Sequence, residues 1–233
     1  MKLLLITLII FFCMTGISCN HKDEIYVVNK ADHRIEIDGL FTESVWEKAN
    51  IISEFIYPWE DKEVQGRLIF RALYDNSTFY FSFVVEDKNA FIVLDSLLDK
   101  KDISKEERVE IYFSKNKTLK EYFCIEIDPK GRILDYKASF YRKFDESWFL
   151  KGAKCVGEIF VNGYQVEAAI PLEFLNEMGI DYDEDFFVGL FRADLKKLSN
   201  SSISESWISW IDPKTNIPDF HVPEAFGVFR VSH

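Results

Sequence analysis

Residues 67–85 read RLIFRALY-DNS-TFYFSFVV, and the fold follows from this stretch. Leu68, Phe70, Ala72 and Tyr74 recur at every second position, as do Phe79, Phe81, Phe83 and Val85. A period of two puts each set on one face of an extended strand, whereas a helix needs a period of 3.6. Asp75-Asn76-Ser77 between them is a turn signal, so the stretch is predicted to be a β-hairpin.

The same pattern extends in both directions. Val109–Phe113 (VEIYF) and Tyr122–Ile127 (YFCIEI) form the next strand pair, closed by Asp128-Pro129-Lys130-Gly131, and Arg132–Phe140 continues as a strand. Lys154–Val161 and Tyr164–Ile170 flank Asn162-Gly163, a dipeptide suited to the tight turn of a two-residue hairpin. Phe186–Arg192 and Phe226–Val231 complete the set. Helix is confined to Glu43–Ala49, with Thr42 as cap, and Pro171–Met178, with Pro at its first turn and Gly179 just past its end. Many strands with turns between them and little helix give an all-β fold, a single antiparallel β-sandwich of two sheets with one or two short helices.

The N-terminus points to export. Met1-Lys2 precedes an almost unbroken apolar run, Leu3–Met14, and then the small-residue zone Thr15-Gly16-Ile17-Ser18 before Cys19. That is the layout of a secretory signal, shorter than the roughly 20 apolar residues of a membrane-spanning helix. Cys19 after Gly-Ile-Ser resembles a bacterial lipobox, with Gly16 where leucine is usual. Asn20-His21-Lys22-Asp23-Glu24 resembles the lysine-plus-acid signal that sends Bacteroidetes-type lipoproteins to the outer surface. The expected organisation is a signal peptide over 1–18, a tether over 19–31 acylated at Cys19, and one domain over 32–233. The resemblance implies an outer-membrane lipoprotein at the cell surface, with a periplasm-facing position as the alternative. An uncleaved N-terminal anchor is the competing reading.

The formal charge is −11 for the chain and −12 once residues 1–18, which carry only Lys2, are removed. Such a domain repels phosphate backbones and anionic headgroups, which disfavours nucleic acid and leaves the lipid as the membrane contact. Of the cysteines, Cys124 and Cys155 remain in the body; they either pair or stay as separate thiols.

Five motifs then occur in one order. Ile37-Asp38-Gly39 is followed by Glu43 and Trp46; Leu73-Tyr74-Asp75 by Phe79-Tyr80-Phe81 and Asp87; Glu107 by Val109-Glu110-Ile111-Tyr112-Phe113. Tyr164–Pro171 (YQVEAAIP) comes next, and Trp207–Trp210 leads to Phe220-His221-x-Pro223-x-x-Phe226-Gly227. Together they resemble family 9 carbohydrate-binding modules over about residue 32 to the end. The resemblance implies a single DOMON-like, or immunoglobulin-like, two-sheet sandwich and non-catalytic binding of an oligo- or polysaccharide. Glycan capture for glycan-degrading enzymes of the same organism would follow. It also implies structural calcium, for which the acidic loops Asp95–Asp102 and Asp181–Asp185 are the available carboxylates, although neither has the spacing of a defined calcium loop.

A sugar presents polar edges and an apolar face, so its site combines flat rings with a few charged groups. Sugar-binding members of the family clamp a terminal sugar between two tryptophans. Here Ile103-Ser104-Lys105 occupies the first place and Phe220-His221 the second. Either Trp59 or Trp148, both in loop-like stretches, supplies a replacement ring, or the protein binds something else. Trp207 and Trp210, three apart, face opposite ways in a strand, Trp210 towards the core with Ile208 and Trp207 outward. Trp46 is expected in the core. Glu110 and Arg192 are the charged candidates, with a paired structural role as their alternative. The candidate set is thus Phe220, His221, Trp148, Trp59, Trp207, Glu110 and Arg192.

Other functional classes have less behind them. A scaffold that keeps the sandwich without the sugar site is the main rival. With 39 acidic residues a pair suited to glycoside hydrolysis can always be found, so composition does not argue for that reaction. No G-x-S-x-G, H-E-x-x-H, Walker or Rossmann pattern is present. Haem binding would rest on Met178, the one methionine outside the leader, with no partner His evident.

Overall fold

The computed structural model describes residues 24–88, 93–198 and 202–232, so the leader, Cys19 and His21 lie outside the described residues. Twelve strands follow in chain order: β1 (Ile25–Lys30), β2 (Arg67–Tyr74), β3 (Thr78–Glu86), β4 (Arg108–Ser114), β5 (Tyr122–Ile127), β6 (Ile133–Ser139), β7 (Lys143–Asp145), β8 (Lys154–Phe160), β9 (Gly163–Pro171), β10 (Phe186–Lys197), β11 (Ile203–Ser209) and β12 (Gly227–Val231). One layer runs β7-β6-β5-β4-β10-β12-β1, with β11 also on β10; the other runs β1-β2-β3-β9-β8.

Strand β1 joins the layers. Ile25–Val28 pair with Val228–Val231 of β12, and Asn29-Lys30 pair with Leu73-Tyr74 of β2. Both pairings are parallel; every other ladder is antiparallel, as expected of the sandwich. Residues 25–30 are therefore part of the sandwich and not of a tether.

The faces of the two layers that meet are mostly apolar. Phe79 of β3 touches Phe113 and Phe186 of the opposite layer, with ring centroids 5.8 and 6.4 Å apart, and Phe70 touches Phe229 at 5.8 Å. Each such ring, fully buried, contributes on the order of 1.5–3 kcal/mol by leaving water. Met178 is buried in this core.

Residues 31–49 cover the outer face of the second layer, where Ile35, Ile37, Val45 and Trp46 pack on Leu73 and Tyr80. Glu167 of β9 fastens this cover. Its Oε2 accepts from the backbone N–H groups of Gly39 (2.9 Å) and Asp38 (3.3 Å), and its Oε1 accepts from Trp46 Nε1 (3.1 Å). The Ile-Asp-Gly turn, with Gly39 at φ +82°, and Trp46 thus meet on one carboxylate. Ser44–Lys48 is a 3-10 turn whose cap position is Glu43 in extended conformation without a side-chain cap, so Thr42 does not cap it. The second short element, α1, spans Leu172–Glu177 directly after Pro171, and Gly179 follows at φ +75°. Cys124 and Cys155 are free thiols, Cys124 on the outer face of the first layer and Cys155 against the main core.

Candidate functional site

The outer face of the first layer carries a second cluster of rings. Along β4, Val109, Ile111 and Phe113 enter the core, so Arg108, Glu110 and Tyr112 project from the other side. Register places Glu110 beside Glu126, Tyr112 beside Cys124, and Glu126 beside Leu134. Above this floor stand Trp59, Trp207 of β11, Phe220-His221, and Arg142 and Phe144 at the β6–β7 turn. Together they enclose a cavity of about 380 Å³, within the size range of small-ligand pockets.

Phe220 holds the two tryptophans in place. It stacks on Phe191 with centroids 4.1 Å apart and planes 12° apart, and contacts Trp59 at 5.5 Å and Trp207 edge-on at 5.7 Å. Trp59 Nε1 donates to the carbonyl of Thr215 (2.9 Å), which fixes its ring, and the Arg108 guanidinium lies 5.5 Å from the Trp207 ring centre. Phe220 is itself almost fully buried, so it presents little surface of its own.

The floor is a polar cluster between strands. Arg108 Nε donates to Glu126 Oε2 (2.6 Å), Tyr136 donates to Glu126 Oε1 (2.9 Å), and Tyr112 donates to Glu110 Oε2 (2.7 Å). Glu110 Oε1 lies 3.0 Å from Arg108 Nε, yet the single N–H there is aimed at Glu126, and Oε1 has no hydrogen-bond partner among the described residues. Burial, and then the neighbouring charge of Glu126, push the Glu110 carboxyl up to about 7, against the pull of Arg108. His221 Nδ1 lies 3.1 Å from the Tyr122 hydroxyl and its ring stacks on Tyr112. Burial, with Arg142 nearby, brings the imidazole down to about 4, so it is neutral at pH 7.

Five candidates thus meet at one cavity: Trp59, Trp207, Phe220, His221 and Glu110. Two do not. Arg192 pairs in register with Val109 and therefore points inward, where it is buried against Glu107 (2.6 Å), Asp87 (3.0 Å) and Asp194 (3.2 Å). Trp148 lies between Phe123 and Phe174, at 5.1 and 5.8 Å, on the edge of the main core. Sequence reasoning missed Arg108, Glu126 and Tyr136. The signal was available: Glu110 and Glu126 are each the acidic residue of an otherwise apolar strand, and a hairpin register brings them side by side. Trp46 is buried and Trp210 packs on Phe229 beside the core.

Several carboxylates of the acidic loops are engaged with partners within the protein. Asp99 and Asp102 form a capping box on the 3-10 turn Lys100–Lys105, and Asp102 also pairs with Lys105. Asp181 accepts from the N–H of Asp183, and Asp185 pairs with Arg230. No group of three or more His, Cys, Asp or Glu side chains is arranged to hold a metal among the described residues.

A two-layer sandwich with a ring-walled, carboxylate-floored cavity on one outer face is the architecture of a small-ligand binding module. The family model described as carbohydrate family 9 binding domain-like matches residues 37–233, and the chain belongs to that family. Solved structures share the fold at low identity. A candidate carbohydrate-binding protein from Bacteroides uniformis superposes with a TM-score of 0.70 at 15% identity, covering 91% of this chain and 100% of that one. A family 9 module from Caldicellulosiruptor kristjanssonii, in complex with cellotriose, gives 0.61 at 14% identity, covering 89% and 93%. A family 9 module from the same organism, in complex with glucose, gives 0.58 at 16% identity, covering 90% and 96%. No curated protein gives a significant match.

Proposed function

We propose that the chain binds carbohydrate, without catalysis, in the cavity between Trp59 and Trp207. The observation that carries this is the pairing of two half-buried indoles, Trp59 and Trp207, over a cavity floored by the polar cluster of Arg108, Glu110, Glu126 and Tyr136. The rings suit the apolar face of a pyranose, and the polar floor and rim suit its hydroxyl edges. His221, neutral and already bonded to Tyr122, serves as floor. Membership of a binding-module family, and relatives with bound glucose and cellotriose, support the reading.

The N-terminal residues extend the proposal. With Cys19 acylated, the module is held at the outer membrane, where many copies on one surface raise the effective affinity of a weak single site for polymeric glycan. Capture of glycan for degrading enzymes is the role this arrangement serves. The test is calorimetry of the full chain against a panel of mono-, oligo- and polysaccharides that includes glucose and cellotriose. Saturable binding is expected, and no binding to any member of the panel overturns the proposal.

A further inference from the structure

The turn between β6 and β7 carries two rings, Phe140 and Tyr141, that the cavity does not account for. Phe140, Tyr141 and Phe144 are 47%, 51% and 43% exposed, three large aromatic side chains within five residues. Leaving rings in water forfeits the stabilisation that their burial would give. Contiguous exposed apolar surface of this kind marks a place of contact.

These rings are held in position. The Tyr141 hydroxyl donates to Asp219 Oδ2, and Arg142 Nη1 donates to Asp219 Oδ1 (2.8 Å). The same Oδ1 accepts from the backbone N–H of His221 (2.9 Å), so Asp219 ties the turn to the segment that carries Phe220 and His221. The Arg142 guanidinium lies 5.4 Å from the Phe144 ring centre, and Phe140 meets Tyr141 edge-on at 5.4 Å. Phe140 is anchored in turn by its N–H, which donates to the carbonyl of Leu119 (2.9 Å). Rings fixed before the ligand arrives lose little conformational entropy on binding.

The row is also continuous with the cavity. Arg142, Phe144 and Asp219 belong to the cavity wall, while Tyr141 and Phe140 adjoin them along the turn. We infer that the Phe140–Phe144 turn is a second saccharide subsite, so that the ligand is an oligosaccharide seated in the cavity at one unit and lying along the turn with the next. This rests on the sugar-binding reading of the cavity. The turn supplies ring faces for stacking, while Arg142 and Asp219 are engaged with each other and leave the platform without net charge, as suits an uncharged sugar unit.

The test compares glucose with cellotriose, or the monomer and trimer of whichever polysaccharide binds, on the full chain and on Tyr141→Ala and Phe140→Ala. One stacking ring is worth about 0.5–1.5 kcal/mol, so each substitution should weaken trimer binding roughly two- to twelvefold. Monomer affinity should be unchanged in Phe140→Ala. Tyr141→Ala also releases Asp219, so monomer affinity reports whether the cavity has been disturbed, and Phe140→Ala acts without touching Asp219. A trimer that binds the unaltered chain no more tightly than the monomer overturns the subsite while leaving the cavity reading intact. So does a trimer affinity that neither substitution changes, or a loss of monomer and trimer binding in equal proportion in Phe140→Ala. If neither monomer nor trimer of any sugar binds, the cavity reading fails, and the subsite with it.

Discussion

Phe220 lies face to face on Phe191, their centroids 4.1 Å apart, and Trp59 and Trp207 both lean on Phe220. A residue in the place of a sugar-clamping ring is here buried beneath two other rings and sets their positions. Phe220→Ala should therefore act on stability as well as on binding. Removing a buried phenyl is worth roughly 3–5 kcal/mol, so the thermal midpoint should fall by many degrees together with affinity. Thermal unfolding followed by calorimetry checks this; an unchanged midpoint with lost binding would mean that Phe220 touches ligand directly and supports little else.

Glu110 gives a dependence on pH with a definite sign. An unfolded glutamate releases its proton near 4.5, whereas folded Glu110 holds it to about 7. Between those values the folded state binds more protons, so this group makes stability fall as pH rises through the window. In Glu110→Gln that slope disappears. Denaturant unfolding of both proteins at pH 5 and pH 8 measures the effect. Equal losses between the two pH values in both proteins would contradict it.

His221 works in the opposite direction. Its pKa in the fold is about 4 against 6.5 in the open chain, so between those values only the unfolded state takes the proton. Its contribution to stability is present above 6.5 and is lost as pH falls towards 4. An NMR titration of the His221 ring carbon proton should show a midpoint near 4. A midpoint near 6.5 would place the ring in water and undo the account of the cavity floor.

The anchor has its own test. With Cys19→Ser the protein should be exported without lipid and leave the membrane fraction. Unchanged fractionation of that variant would favour an uncleaved N-terminal anchor instead.

How much could be read from the sequence depended on how local each feature was. The hairpin at 67–86 pairs Tyr74 with Phe79 across a short turn, so alternation and turn chemistry were enough to find it. Strand β1 eluded that reasoning because its partners, Val228–Val231 and Leu73-Tyr74, lie far along the chain and leave no turn signal beside it. In the site, Trp207 and Glu110 were legible because strand parity gives the face. The same parity puts Arg192 with Leu190 on the inner side, where three carboxylates neutralise it. Trp59 and Trp148 both sit outside strands, and no local rule separates the ring that walls the cavity from the one that packs on Phe174. Glu167 ties separate motifs of the chain together, since one carboxylate receives the N–H groups of Asp38, Gly39 and Trp46.

The most direct measurement is calorimetric titration of the full chain, of Trp59→Ala and of Trp207→Ala with the tightest-binding sugar of the panel. The unaltered protein should bind saturably. Each substitution should weaken binding severalfold or abolish it, with a smaller loss of thermal midpoint than Phe220→Ala produces. Absence of binding to every sugar, or full affinity retained in both tryptophan variants, would contradict the assignment of the cavity as a carbohydrate site.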